Sequence, residues 1–101
     1  MPTAYITAPP DAASTLAETL VREELAACVN TVSCDSVYRW EGDVLTDEEV
    51  ILLAKTTEAR YPALEARVED LHPYDVPCIE RFDEGAMLDA FRAWRDESVQ
   101  P

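Results

Sequence analysis

Lysine is almost missing from this chain. Lys55 is the only one among 101 residues, and the eight basic side chains face 21 acidic ones, for a formal charge of −13. Phosphate binding needs a basic stripe, so nucleic acid is not expected as a partner. Glycine is also scarce. With only Gly42 and Gly85, no glycine-rich loop can cradle a phosphate, and no organic cofactor is indicated. Cys28, Cys34 and Cys78 make an odd count without a Cys-x-x-Cys spacing. That pattern argues against a disulfide framework and a zinc ribbon, leaving free thiols. No apolar run approaches the roughly 18 residues that cross a bilayer, and no positively charged leader precedes an apolar stretch at Met1. A soluble, cytoplasmic protein without a membrane partner is the expectation.

What is present suits one globular core. Apolar residues make up 48% of the chain and charged residues 29%, close to the globular average, so residues 1–101 are expected to form a single domain. The acidic residues are spread over every segment instead of forming a tail. This reads as a solvation device suited to concentrated salt, where the screening length falls to about 3 Å near 1 M and self-repulsion is quenched. A halophilic protein whose stability rises with salt is expected.

Residues 3–8 alternate and are rich in Thr, Tyr and Ile, a first strand stopped by Pro9 and Pro10. Ala13, Leu16, Ala17, Leu20, Val21 and Leu25 recur at spacings of three and four, which predicts a helix to about Ala26, capped by Asp11 or Ser14. Residues 28–40 and 44–57 read as two strands joined by a turn at Glu41, Gly42 and Asp43. Pro62 opens a second helix with the stripe Leu64, Val68 and Leu71, ended by Pro73. A fourth strand over 78–82 and a helix over 87–98 complete the order βαββαβ plus a final helix. Two right-handed βαβ units then give an α+β, ferredoxin-like sandwich: an antiparallel sheet with helices on one face, an extra C-terminal helix and a long β-hairpin.

The hairpin carries a further inference. A strand over residues 28–40 would reach about 43 Å, whereas a 100-residue domain has a radius of gyration near 13 Å. It must overhang. Val37, Tyr38, Trp40 and Val44 would then be exposed on an unpaired edge, a surface that proteins normally cover. Closed symmetry lets copies cover one another, and these four residues are the candidate contacts of a ring of three.

Four motifs now stand in a recognisable order: Leu25, Ala26, Ala27, Cys28, Val29, Asn30; then Ser36, Val37, Tyr38, Arg39, Trp40, Glu41, Gly42; then Lys55, Thr56, Thr57; then His72, Pro73, Tyr74, Asp75, Val76, Pro77. Over nearly its whole length the chain resembles the CutA divalent-cation-tolerance family. The resemblance implies a cytoplasmic homotrimer of ferredoxin-like subunits, related in shape to PII-like trimers, with a role in tolerance to copper and other divalent metals. The chain departs from the family where metal chemistry would matter. Some members carry cysteine where this one has Ile6, some have two histidines where it has Leu71 and His72, and glutamate is usual where it has Cys78.

His72, the only imidazole, and the thiols Cys78 and Cys34 are therefore the candidate metal ligands, for a copper-type ion or zinc. Helix capping or interface duty is the competing role for His72, and burial for Cys28. Cys28 and Cys34 lie roughly 20 Å apart along one regular strand and cannot share an ion within a subunit, although an irregularity at Asp35 and Ser36 would alter this. Asp47, Glu48 and Glu49 offer oxygen ligands, but alternation splits them between faces and they read as solvated. Lys55, Tyr74 and Asp75 are the candidate lining of a cleft between subunits, completed by a neighbour's hairpin, for a small anion or a protein partner, with an ion pair as the alternative for Lys55. Cys78, His72 and Asp75 have no recognisable triad context, so an enzyme is not expected.

Overall fold

A computed structural model describes residues 2–99. The elements run β1 (Pro2–Ala8), α1 (Pro10–Arg22), β2 (Cys28–Trp40), β3 (Asp43–Lys55), α2 (Tyr61–Leu71), β4 (Ile79–Asp83) and α3 (Asp89–Ser98). All three strand pairings are antiparallel, in the order β2-β3-β1-β4. This is the ferredoxin-like sandwich with its added C-terminal helix.

Strand alternation divides the residues between two faces. Ala4, Ile6 and Ala8 on β1 stand opposite Ala54, Leu52 and Val50 on β3, and this face receives Leu16 and Leu20 of α1 and Leu64 and Val68 of α2. Ile6, Leu20, Leu52, Leu64 and Val68 are fully buried, and burying such a side chain contributes about 1.5–3 kcal/mol. The other face carries no helix-facing core residue. Thr3, Tyr5 and Thr7 lie there in rows with Lys55, Leu53 and Ile51 and with Cys28, Asn30 and Val32. It is the open face.

Helix α1 stops four residues short of the length its apolar stripe predicts. Glu24 turns into the left-handed region at φ 57°, its N–H bonds the Val21 carbonyl and the Leu25 N–H bonds that of Leu20, the paired closure of a Schellman motif. Leu25 and Ala26 remain buried, but as a turn instead of helix. The stripe continues into the core after the helix has ended. Helix α3 likewise begins at Asp89, leaving Met87 and Leu88 outside it.

The two hairpin strands are joined by a two-residue turn in which Glu41 (φ 50°) and Gly42 (φ 87°) are both left-handed, the type I′ geometry that matches strand twist. Pairing is continuous from Cys28 opposite Lys55 to Trp40 opposite Asp43. The possible irregularity at Asp35 and Ser36 is absent: they oppose Glu48 and Asp47 in register. β1 accompanies β3 only between Val50 and Lys55. Residues 34–40 and 43–49 therefore form a two-stranded ribbon, and it gives the molecule its long axis of 45 Å against 26 and 20 Å across. The radius of gyration is 14.1 Å.

Candidate functional site

Side chains able to do chemistry gather where the ribbon leaves the sheet. Helix α2 ends at Leu71 because Pro73 disfavours helical geometry at the residue before it, and His72 is extended at ψ 136°. Its ring turns away from the helix it follows. Nε2 lies 2.8 Å from the Thr7 carbonyl on β1, and Nδ1 lies 3.1 Å from the Tyr74 N–H. The expected capping of α2 is done by the His72 backbone N–H, which bonds the Val68 carbonyl, while the imidazole ties β1 to the following loop.

Tyr74 extends the connection to β3. Its ring lies 4.8 Å from that of His72, and its hydroxyl donates to Glu49 Oε2 at 3.2 Å. Glu49 is only 8% exposed, which corrects the reading of residues 47–49 as simply solvated. Alternation explains the difference: Asp47 and Glu49 share the open face while Glu48 points the other way, opposite Asp35. Tyr38 donates to Asp47, and that bond pushes its hydroxyl up to about 12, since the neutral phenol is the donor. Tyr74 is raised by burial first and by Glu49 second. Two phenols thus cover two carboxylates, with Cys34 directly opposite Glu49.

Of the candidate metal ligands, His72 and Cys78 both meet the Thr7 backbone, His72 Nε2 at its carbonyl and the Cys78 carbonyl at its N–H, while Cys34 stands apart from them. Cys34 lies on β2 and Cys78 borders β4, the two outer strands, so three strand spacings of about 4.8 Å put them roughly 14 Å apart. The Cys78 thiol lies 3.7 Å from Glu80 Oε1, and burial pushes it up, as it does Cys28. Both are held as thiols, the poorer ligand form. Among the described residues, no three His, Cys, Asp or Glu side chains are grouped to hold a metal ion. An open hollow at the ribbon base is lined by Pro10, Ser33, Cys34, Asp35, Glu48 and Glu49.

The candidate cleft residues lie apart within one chain. Lys55 Nζ donates to Thr3 Oγ1 at 3.3 Å, and the Thr3 hydroxyl donates to Glu84. Glu49, the partner of Tyr74, lies six residues from Lys55 on β3, about 20 Å along a strand. Lys55 therefore lies at the opposite end of the sheet from Tyr74 and Asp75, which is exposed, and within one chain they line no common pocket. Lys55 makes no ion pair among the described residues, so its alternative role is replaced by a hydroxyl contact that links β1 and β3 to the segment after β4.

The sequence reading missed Thr56. It is fully buried, and its hydroxyl donates to the Leu25 carbonyl at 2.7 Å, holding the turn after α1 against the end of β3. A threonine between a strand and a loop, beside a buried apolar run, was the available signal. Val37, Tyr38, Trp40 and Val44 are exposed at 68%, 37%, 53% and 64%, with Val37 and Val44 on one face of the ribbon and Tyr38 and Trp40 on the other. Leu45, opposite Tyr38, adds to the second set.

Comparison with known proteins adds an independent line. Residues 3–98 match the model of the CutA1 divalent ion tolerance protein family. The chain is 53% identical over 68 residues to the divalent-cation tolerance protein CutA of Thermus thermophilus, an alignment spanning 66% of each protein. The crystal structure of CutA1 from Pyrococcus horikoshii superposes with a TM-score of 0.96 at 34% identity, covering 100% of both chains. A PII-like protein CutA from Nostoc sp. PCC 7120 in apo form superposes at 0.96 and 29% identity, covering 99% of this chain and 98% of that one. No helix among the described residues is long and apolar enough to cross a membrane.

Proposed function

The chain belongs to the CutA1 divalent ion tolerance family, and from that premise we propose that it supports divalent-cation tolerance in the cytoplasm as a homotrimer that binds rather than transforms its ligand. The observation that carries this reading is the ribbon. Residues 34–40 and 43–49 leave the sheet as two unsupported strands that expose apolar side chains on both faces, and a two-stranded hairpin is marginal on its own. Neighbouring copies supply what the single chain lacks. With three copies, side chains that lie far apart in one subunit also gain partners from another. A copper-type ion or zinc would then be held between subunits, with Cys34, Cys78 and Glu49 as the groups to test; none is sufficient alone.

Native mass spectrometry and sedimentation in high salt test the assembly, and a single-chain particle at all concentrations would refute it. Trp40→Ser combined with Val44→Ser is expected to shift the population to monomer. Titration calorimetry of the trimer with copper and zinc tests the ligand, and Cys78→Ser and Cys34→Ser are each expected to weaken binding at least tenfold. Unchanged binding in both would remove the thiols from the site.

A second reading is favoured by Lys55. Its ammonium has one hydroxyl partner and no ion pair among the described residues, and the Nostoc relative is described as PII-like. In this reading a cleft between subunits takes a small anion or a protein partner. Ligand-induced shifts in melting temperature across a panel of anions, abolished in Lys55→Gln, distinguish it from metal binding.

A further inference from the structure

Arg39 is a cation left without a partner. Arg22, Arg67, Arg81, Arg92 and Arg95 each stand beside an acidic side chain of their own chain. Arg39, near the tip of the ribbon, is exposed and makes no hydrogen bond or ion pair among the described residues. Asp35 and Glu48, at the ribbon base, are directly opposed, exposed and equally unpartnered. Opposed carboxylates repel, so this row lacks a cation that its own chain does not bring to it.

Alternation puts these groups on one side of the ribbon, the side that continues the helix-covered face of the sheet. Three rows follow one another outward there: Asp35 with Glu48, Val37 with Thr46, and Arg39 with Val44. Successive rows are two residues apart, about 7 Å, so the acidic row lies as far to one side of Val37 as the Arg39 row lies to the other. The pattern is self-complementary. A second ribbon turned end for end about a two-fold axis at Val37 sets each Arg39 over the other copy's Asp35 and Glu48, and Val37 over its counterpart. Parallel stacking would instead set Asp35 of one copy on Glu48 of the other. There is also room at the base, because Asp35 and Glu48 line the open hollow beside Pro10 and Ser33, and an arriving guanidinium enters it without displacing a buried side chain.

We propose that this side of the ribbon is a docking surface for a second copy of the chain, two ribbons lying antiparallel with each Arg39 paired to the Asp35 and Glu48 of the other. The contact is isologous, whereas a ring of three joins unlike surfaces. Tyr38, Trp40 and Leu45 remain on the opposite face for the ring, and Val37 and Val44 serve the contact between rings. One ribbon pair covers far less than the roughly 800 Å² per partner of a stable interface, but three pairs closing together between two rings reinforce one another. In this form the inference rests on the trimer reading, and it gives a particle of six. Each chain carries a formal charge of −13, so copies repel at a distance. At about 1 M salt the screening length of about 3 Å quenches that repulsion, while a guanidinium and a carboxylate in contact still attract.

Sedimentation velocity in about 1 M KCl, over a range of protein concentrations, tests the pairing. The wild type should reach six copies at the highest concentration. Arg39→Glu alone, and Asp35→Lys combined with Glu48→Lys, should each weaken this association at least roughly tenfold, because each sets like charges face to face. Arg39→Gln, which removes the charge without reversing it, should weaken it by a smaller factor. An equimolar mixture of the two charge-reversed proteins should recover the wild-type particle, since across the mixed contact both pairs again have opposite signs. Circular dichroism of each variant verifies its fold before mixing, and Arg39→Gln decides the matter should a reversed variant not fold. A wild type that remains at three copies at every concentration would overturn the ribbon pairing and leave the ring standing, whereas a particle of two would retain the pairing and refute the ring. Variants that associate as the wild type does, or a mixture no tighter than its components, would overturn the pairing as well.

Discussion

Residues 28–33 and 50–55 and residues 34–40 and 43–49 belong to the same pair of strands, with the same pairing, yet the two halves are stabilised differently. In the first half β3 lies between β2 and β1, and one face packs against α1 and α2, burying Leu52 and Ala54 completely. In the second half there is no third strand, and among its residues only Glu49 is buried. Backbone pairing alone does not distinguish them. What differs is the third partner: a sheet and a helical layer for the proximal half, another molecule for the distal one in the trimer reading.

That contrast can be broken most strongly from the proximal side. Leu52→Ala should cost about 2–5 kcal/mol in urea unfolding, independent of protein concentration, whereas Val44→Ala at the distal end should change the stability of the isolated chain by less than about 0.5 kcal/mol. Equal losses at both sites would show that the ribbon is as well packed in the single chain as the sheet. Next in size is Thr56→Val, which leaves the buried Leu25 carbonyl without its donor; a loss of about 1–3 kcal/mol is expected from the unfolding midpoint. Glu24→Gly acts in the other direction, because glycine adopts the left-handed conformation at φ 57° without steric penalty. A gain of about 1 kcal/mol is expected by thermal melting.

The smallest effect sharpens the distal half. Asp35 and Glu48 are directly opposed across the ribbon, and like charges in that relation are destabilising. Glu48→Lys should stabilise by about 0.2–1 kcal/mol in low salt and reduce the rise in melting temperature between about 0.1 M and about 2 M KCl. A wild-type melting temperature that does not rise over that range would remove the salt-adaptation reading of the acidic surface.

The two halves also differ in how far they could be read in advance. Alternation and turn chemistry specified the strands, the place of the turn between them and the overhang, because these depend on neighbours in the chain. The end of α1 was hidden, since a glutamate in the left-handed position leaves none of the signal that glycine would. The buried state of Glu49 was hidden for another reason: its cover, Tyr74, arrives from a loop 25 residues away. The same holds for His72, whose ring crosses to Thr7, 65 residues earlier. Lys55 and Tyr74 were grouped as lining of a cleft between subunits, and the length of β3 sets them at opposite ends of any one chain.

The position of β4 sets an order of events during synthesis. The strand that flanks β1 on its outer side, with Ile79 against Ile6 and Asp83 against Pro2, is the last strand in order among the described residues, nearly eighty residues after its partner. A growing chain can close its local hairpin early, but its first strand keeps a bare edge until residues 79–83 have been made. Distant closure of this kind slows folding and leaves nascent chains prone to sticking, so a product truncated before Ile79 is expected to need a chaperone or to precipitate.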